Sequence, residues 1–326
     1  MDILIYSGLE LLGDGVMKLP FVWALRQRWP EARITWLASK GKTVYAHALA
    51  PLVRAALDEV IEEAGIGSRA GELLRRPLAG RRFDLVIDTQ RRVLTTLILR
   101  RMRAGCFVSA AARFLLSDRR PPRGYERPPR LVDQLLDLVA IAGGKRIEPR
   151  FDVGLGAPWS EAALLALPPG PLYVGIAPGA GGTHKRWPRD RFVALAAALQ
   201  RAGRRAVMIL GPDERDWHDE LRAALPDALF PLQDERVPAE IAAAPLYTLA
   251  LGQRLAAAVA NDSGTGHLLA ASGCAMVSLF GPSAAAKFAP AARRIEIVEA
   301  QRFGASEMAA IPLAAVSEAV ERALAR

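Results

Sequence analysis

Cysteine is nearly missing from this 326-residue chain. The two present, Cys106 and Cys274, lie far apart and lack metal-ligand spacing. That excludes a disulfide framework and a cysteine-built zinc site, and it suits a cytoplasmic protein. Long hydrophobic runs are missing too: none reaches the roughly 18 apolar residues of a membrane span. The chain enters a strand-like run at Asp2–Tyr6 with no basic stretch before it, so no signal peptide is read. Acidic charge is in deficit, with 34 Asp and Glu against 43 Lys and Arg and a net charge of +9. The arginine excess gathers between Arg75 and Arg130, in "LLRRPLAGRRFD", "QRRVLTTLILRRMRAG" and "SDRRPPRGYERPPR". Such a segment serves an anionic partner, a phosphorylated sugar or an anionic membrane face, or it is a solvated arginine surface. Nucleic acid is set aside, because no zinc-finger spacing, aromatic RNA-binding strand or helix-turn-helix accompanies the charge.

What is present is apolar residue, 51% of the chain, in short strand-like runs that alternate with helical patterns. Strands are expected at Ile3–Tyr6, Arg33–Leu37, Leu85–Asp88 and Cys106–Ser109. In the second half they are expected at Leu172–Ala177, Ala206–Leu210, Ala257–Asn261 and Met276–Phe280, with a weaker one at Arg294–Val298. Leu19, Val22, Trp23 and Arg26 fall at helical spacing before Pro30, and Phe192, Leu195, Ala196 and Leu199 make a helix stripe that Gly203 ends. Continuous apolar strands between helices indicate parallel sheets covered on both faces. The Pro- and Gly-rich stretch at about 148–171 reads as a hinge around a short Ala/Leu helix. The expected fold class is α/β: two doubly wound, Rossmann-like domains, 1–160 and 161–326, facing across a cleft. The last helix is left free to pack back on the first domain.

Ligands of such sheets bind beyond the strand C-termini, so the strand-end loops carry the chemistry. In "APGAGGTHKRWPRDRF" an apolar strand gives way to Gly179, Gly181, Gly182 and Thr183, then Lys185, then a helix starting near Arg189. Glycines there permit positive φ and close approach, the helix N-terminus offers free N–H groups, and Lys185 supplies a mobile cation. These are the parts of a phosphate cradle, without the Walker A or G-x-G-x-x-G pattern. The alternative is a glycine turn with a surface lysine. In "ANDSGTGHLLAASG" another strand ends at Asn261 and Asp262. It is followed by Ser263, Gly264, Thr265 and Gly266, with His267 opening a helix. Asp262 could orient a sugar hydroxyl or the loop itself, and His267 reads equally as a satisfied helix-end histidine. Two such loops in one half suit a shared diphosphate. In "LGPDERDW", Glu214 either accepts from ribose hydroxyls or complements a helix dipole. In "YSGLELLGDGVMKLP", Asp14 is either an N-cap or a general base.

Taken in order, these motifs resemble glycosyltransferase family 9, the heptosyltransferase family of lipopolysaccharide core assembly. The matching text is "LLGDGVMKLPFVWALRQRWPEARITWLA", "FDLVIDTQ", "APGAGGTHKRWPRDRFVALAAAL", "ILGPDE" and "ANDSGTGHLLAASGCAMVSLFGPS". It spans about residues 2–325 and is strongest in the second half. The resemblance implies a GT-B fold whose second domain holds a nucleotide-sugar donor, typically ADP-heptose. By it Lys185 contacts the diphosphate, Glu214 the ribose, Asp262 to His267 the phosphates and donor sugar, and Asp14 is the catalytic base of an inverting displacement. No cofactor and no bound metal are implied. The implied partners are a nucleotide-sugar donor and an anionic glycolipid acceptor, with peripheral contact at the cytoplasmic face of the inner membrane. The sequence departs from the family where its usual Asp-Thr-Gly reads Asp262-Ser263-Gly264. It departs further over 91–150, the part that shapes the acceptor site. The rival readings are a non-catalytic nucleotide-sugar-binding module and a sugar-nucleotide epimerase or oxidoreductase of similar fold. The missing G-x-G-x-x-G speaks against the dinucleotide version. Retention of Asp14, Lys185, Glu214 and His267 speaks against the module.

Overall fold

The computed structural model describes residues 1–67, 69–148 and 154–325. The chain divides into two units, 1–150 and 151–326, within the hinge read at 148–171; residues 149–153 of that stretch lie outside the described residues, and the short Ala/Leu helix expected at its centre is Ala157–Ala166. In the first unit β1 (Asp2–Ser7), β2 (Arg33–Ala38), β3 (Glu59–Ile61), β4 (Arg82–Asp88) and β5 (Arg103–Ser109) form a sheet of order β3-β2-β1-β4-β5. In the second, β6 (Tyr173–Ala177), β7 (Arg205–Met208), β8 (Ala257–Asn261), β9 (Ala275–Phe280) and β10 (Ile295–Glu299) form one of order β10-β9-β8-β6-β7. Every named pairing is parallel. The expected strands are all present. The short strand β3, three half-buried residues beside acidic neighbours, carries no apolar run that would announce it.

Strand order decides where a ligand can sit. In each sheet the chain first winds toward one edge and then crosses to the other. The crossing leaves a crevice at the C-terminal ends of the two strands where the direction reverses. That switch point falls between β1 and β4 in the first sheet and between β6 and β8 in the second. The loops expected to carry chemistry are those that leave β1, β6 and β8.

The second sheet shows why the residues near its switch point are small. Along β6, Val174 and Ile176 enter the core under the helices Arg189–Arg201 and Leu313–Leu324, while Tyr173 and Ala177 enter the core on the opposite face. Side chains alternate faces along a strand, so both layers are packed from one run. A Cβ on Gly175 would lie 2.5 Å from Leu255 Cδ1, so only glycine allows that close approach. The last helix, Leu313–Leu324, lies on the second sheet, with Val316, Ala319, Val320 and Ala323 in its core.

Trp187 anchors the end of the glycine-rich loop. It is 1% exposed, meets Phe192 edge-on at 4.9 Å, and donates its indole N–H to the carbonyl of Ile311 at 2.9 Å. Replacing Trp187 by Ala empties a large core site and is expected to cost about 3–5 kcal/mol in urea unfolding. Trp187→Phe retains most of the packing and leaves the Ile311 carbonyl its bond from Arg191, so a smaller loss of about 1 kcal/mol is expected. Equal losses for the two variants would assign no part of the effect to ring volume.

Candidate functional site

In the second unit the loops after β6, β7 and β8 are bound to one another at the switch point. Asn261, the last residue of β8 and fully buried, does most of this. Its amide nitrogen donates to the Pro178 carbonyl at 2.8 Å, and its side-chain oxygen accepts from the Trp187 N–H at 3.1 Å. Both ends of the Pro178–Trp187 loop are thus pinned to the neighbouring strand. Between the pins lies a short helical turn, Thr183–Lys185. Lys185 reaches across and donates to Asp262 Oδ2 at 2.9 Å.

Contrary to the expectation of positive φ, the glycines of this loop do not serve left-handed backbone, and two of them serve space. None of Gly179, Gly181 and Gly182 is among the positive-φ residues. A Cβ on Gly179 would lie 2.5 Å from Glu214 Oε2, and one on Gly182 would lie 2.7 Å from the His184 ring. A Cβ on Gly181 would meet nothing within 4 Å.

Glu214 sits at the end of the β7 loop and is 4% exposed. Its Oε1 lies 2.9 Å from Arg186 Nη2 but has no aligned hydrogen-bond partner. Burial pushes its carboxyl above the ordinary value, against the opposing pull of Arg186. Neither sequence reading foresaw this ion pair. Arg186 also lies over the Trp217 ring, 5.4 Å from its centroid. Asn261 and Arg186 are the two residues of this rim that motif reading passed over. A polar residue ending an apolar strand, and an arginine beside Lys185, were their only signals.

The third loop is a helix start. Ser263 caps the helix Gly264–Ala271, its Oγ accepting from the Gly266 N–H at 3.1 Å. Gly266 lies so close to β8 that a Cβ there would stand 3.0 Å from the Asn261 carbonyl oxygen. Thr265 is half-buried in the first turn. His267 is inside this helix, not at its opening, and its N–H bonds the Ser263 carbonyl.

In the first unit Asp14 is not the N-cap. The helix Leu12–Arg28 begins two residues earlier, and Leu11, with no side chain able to cap, stands before it. Asp14 lies in the first turn and is exposed. Among the described residues its carboxylate has no hydrogen bond or ion pair, which leaves it open to a reactant.

The segment carrying Asp14 is clamped from below. Glu10, 2% exposed, accepts from Lys18 Nζ at 3.0 Å, from the Thr43 hydroxyl at 2.8 Å and from Ser7. Lys18, one helical turn beyond Asp14, also donates to Ser7 Oγ at 2.9 Å. The Tyr45 hydroxyl donates to the Gly15 carbonyl at 2.7 Å. Burial would raise the Glu10 carboxyl, but the Lys18 ammonium and the two hydroxyls outweigh it and hold it below its ordinary value. On the other side of the switch point Asp88, the last residue of β4, is fully buried. It accepts from Thr96 at 2.6 Å, Ser109 at 2.9 Å and the Gln90 N–H at 2.8 Å. No cation pairs with it among the described residues, and burial pushes it up to about 6.

Comparison with known proteins agrees with this architecture. The profile of glycosyltransferase family 9 (heptosyltransferase) matches residues 72–310. The glycosyl transferase family 9 protein of Veillonella parvula DSM 2008 superposes with a TM-score of 0.69 at 19% identity, over 99% of this chain and 97% of that one. The E. coli ADP-heptose LPS heptosyltransferase II gives 0.66 at 20% identity, over 100% and 99%. E. coli heptosyltransferase WaaC with ADP-2-deoxy-2-fluoro heptose gives 0.66 at 19%, over 99% of both chains. At such identities the likeness speaks for the fold, two Rossmann-like sheets of GT-B type. No curated protein sequence matches the chain.

Two stability experiments follow from the first rim. Lys18→Met strands the buried Glu10 carboxylate and is expected to lose about 3–5 kcal/mol. The double variant Glu10→Gln/Lys18→Met should lose much less, and additive losses in a urea double-mutant cycle would rule out the clamp. For Asp88 the folded value lies above the unfolded one, so between about pH 4 and pH 6 the native state holds the extra proton. Stability should therefore fall as pH rises through that window, by roughly 3 kcal/mol at most. Asp88→Asn should remove this slope from the unfolding profile, and an unchanged slope would assign it to other groups.

Proposed function

The chain belongs to glycosyltransferase family 9, and from that premise we propose an inverting glycosyltransferase. It moves a sugar, by the family's pattern a heptose, from an ADP-heptose-like donor to a lipopolysaccharide-core or related glycolipid acceptor. Membership in a transferase family sets aside the epimerase and oxidoreductase alternative. The observation that carries the donor assignment is the Lys185–Asp262 pair at the β6/β8 switch point, 2.9 Å apart. It sits where doubly wound sheets bind nucleotides, next to glycines whose missing side chains leave the backbone accessible. The bound ADP-2-deoxy-2-fluoro heptose of the E. coli neighbour supports the same donor class.

In this reading the second unit grips the donor. Lys185 and the backbone of Gly179, Gly181, Gly182 and Thr183 meet the diphosphate. Gly264, Thr265, Gly266 and His267 frame it from the other loop, with Ser263 shaping their turn. Asp262 orients sugar hydroxyls. Glu214 has one carboxylate oxygen without an aligned donor, and that oxygen is the acceptor offered to a ribose hydroxyl once the loop yields. In the first unit Asp14 takes the proton from the acceptor hydroxyl as its oxygen attacks the anomeric carbon and the bond to the diphosphate breaks. The charge that gathers on the leaving diphosphate is met by Lys185 and the loop amides, and such preorganised electrostatics supply much of the rate. No helix among the described residues is long and apolar enough to cross a membrane. A cytoplasmic enzyme in peripheral contact with the inner membrane accords with exposed Leu74 and Leu115, 87% and 66% accessible, among the arginines of 75–130.

Asp14→Ala is expected to lower kcat by about a thousand-fold while leaving nucleotide-sugar affinity within a factor of about two. A comparable loss of affinity, read by calorimetry, would reassign Asp14 to donor binding. Lys185→Ala is expected to weaken ADP binding by about ten- to a hundred-fold, the range for one charge-assisted hydrogen bond. Unchanged affinity would remove Lys185 from the diphosphate site.

A further inference from the structure

The ion pair between Arg186 and Glu214 joins the β6 loop to the β7 loop and leaves bonding capacity unspent on both partners. Their side chains are 19% and 5% exposed. Nη2 of Arg186 stands 2.9 Å from Glu214 Oε1, yet Oε1 has no aligned donor, and Nε of the same guanidinium is buried without an acceptor. A guanidinium free to turn closes on a carboxylate with two parallel N–H···O bonds. This one is held elsewhere. Its Cζ lies over the Trp217 ring, and Nη2 also donates to the Ala180 carbonyl at 3.4 Å. Arg189, bonded to Glu220 at 2.6 Å, lies 5.4 Å from the same ring and fixes it in turn. One residue beyond Arg186 the chain is pinned, where Asn261 accepts from the Trp187 N–H.

Glu214 is confined as closely. A Cβ on Gly211 would lie 3.1 Å from its Oε2, and one on Gly179 closer still. The charged groups that act on it are Arg186, from the neighbouring loop, and Asp213, beside it on its own turn. Burial and Asp213 favour the neutral acid, while Arg186 and the Gly211 amide favour the carboxylate. The difference matters to a ligand hydroxyl. A carboxylate only accepts, whereas a protonated carboxyl spends one oxygen as a donor, and a bond to the charged form is roughly twice as strong. An arginine locked in a two-bond fork would spend the same lone pairs. The offset pair keeps the charge and leaves an oxygen unspent.

We propose that Arg186 is a positioning residue of the donor site: acting through Glu214, it holds a charged acceptor oxygen in place for a hydroxyl of the donor's ribose. The proposal rests on the donor reading of Glu214 and adds to it the group that makes the carboxylate usable. Two adjacent cations then divide the work. Lys185, bonded to Asp262, goes to the diphosphate, and Arg186 stays with the acid of the β7 loop.

The test is calorimetric titration of the full chain with ADP at pH 6 and pH 8, for wild type, Arg186→Lys, Arg186→Met, Glu214→Gln and Arg186→Met/Glu214→Gln. Affinities are read as ratios to wild type at the same pH, which cancels the titration of ADP itself. The loss for Arg186→Met should be about three- to tenfold larger at pH 6 than at pH 8, because a buried carboxyl without its cation takes up a proton in that interval. Arg186→Lys, which keeps the charge, should remove the pH difference. Glu214→Gln should weaken binding equally at both pH values. The double variant should match Glu214→Gln, since Arg186 then has nothing to act through. Equal losses for Arg186→Met at the two pH values, or multiplied losses in the double variant, would make Arg186 a separate contact and overturn the proposal. Urea unfolding at pH 6 and pH 8 reads the pair without ADP. Without Arg186 the folded Glu214 carboxyl stands above its unfolded value, so Arg186→Met should lose stability relative to wild type as pH rises, and the double variant should not. If that slope appears while Glu214→Gln binds ADP as wild type does, the donor reading of Glu214 fails and takes the positioning role with it. If Glu214→Gln weakens ADP binding but the slope is absent, the donor reading stands and the role of Arg186 alone is overturned.

Discussion

Everything at the second rim depends on one buried carboxamide. Asn261 is the point where a β-strand stops being paired, and a fully buried polar side chain there must have its own bonds met. It meets them with the two ends of the glycine-rich loop, the carbonyl of Pro178 and the N–H of Trp187. The loop is then not free to drift, although its glycines could allow it to. An aspartate at 261 could accept from Trp187 but could not donate to Pro178, and an apolar residue could do neither. The neighbour Asp262 accepts from Lys185, whose place in the loop Asn261 fixes at both ends.

The first rim solves a similar problem with charge. On the proposed reading Asp14 must be exposed to act on a reactant, and an exposed residue on a first helical turn has few contacts to hold it. The rigidity comes from underneath, where Glu10, Lys18, Ser7 and Thr43 share a buried network spanning the β1 loop, the helix and the β2 loop. A buried ion pair is a doubtful source of stability, so its value here lies in fixing a register. Asp88 stands across the switch point with hydroxyl and amide donors but no cation. Burial raises both carboxyls, and only the one that faces a cation, Glu10, ends below its ordinary value.

Much of this was legible in the residues. The stripe Phe192, Leu195, Ala196, Leu199 is buried as its spacing predicts, and the strands next to both switch points were recognisable as apolar runs ending in glycine or acid. That is because a strand buried on both faces leaves little choice of residue. What escaped was decided by tertiary partners. Asp14 looked like a cap because caps are commonly acidic, yet the helix starts at Leu12 without one. Glu214 offered two readings, and neither included its ion pair with Arg186, because Arg186 is near it only in the folded chain. The glycines of 179–182 suggested unusual φ, but Gly179 and Gly182 answer to crowding by Glu214 and His184. The left-handed run at 112–114 has no sequence signature at all, since Ala, Arg and Phe are poor indicators of positive φ.

The Lys185–Asp262 pair sets a condition on donor binding. On the proposed reading Lys185 meets a diphosphate, yet its ammonium already has a carboxylate at 2.9 Å. A diphosphate carries more charge than one carboxylate and offers several oxygens, so it wins the lysine by Coulomb attraction, less what Asp262 gives up. Asp262 is largely buried, and a buried carboxylate without a partner is costly, so it must find new donors as Lys185 leaves. The hydroxyls of the donor sugar are the groups that arrive together with the diphosphate. The exchange therefore favours a ligand with both parts over a free nucleotide: the phosphates take the lysine, and the sugar satisfies the acid left behind. Selectivity for a nucleotide sugar over the bare nucleotide product then comes from the acid's need for a partner and not from added contact area.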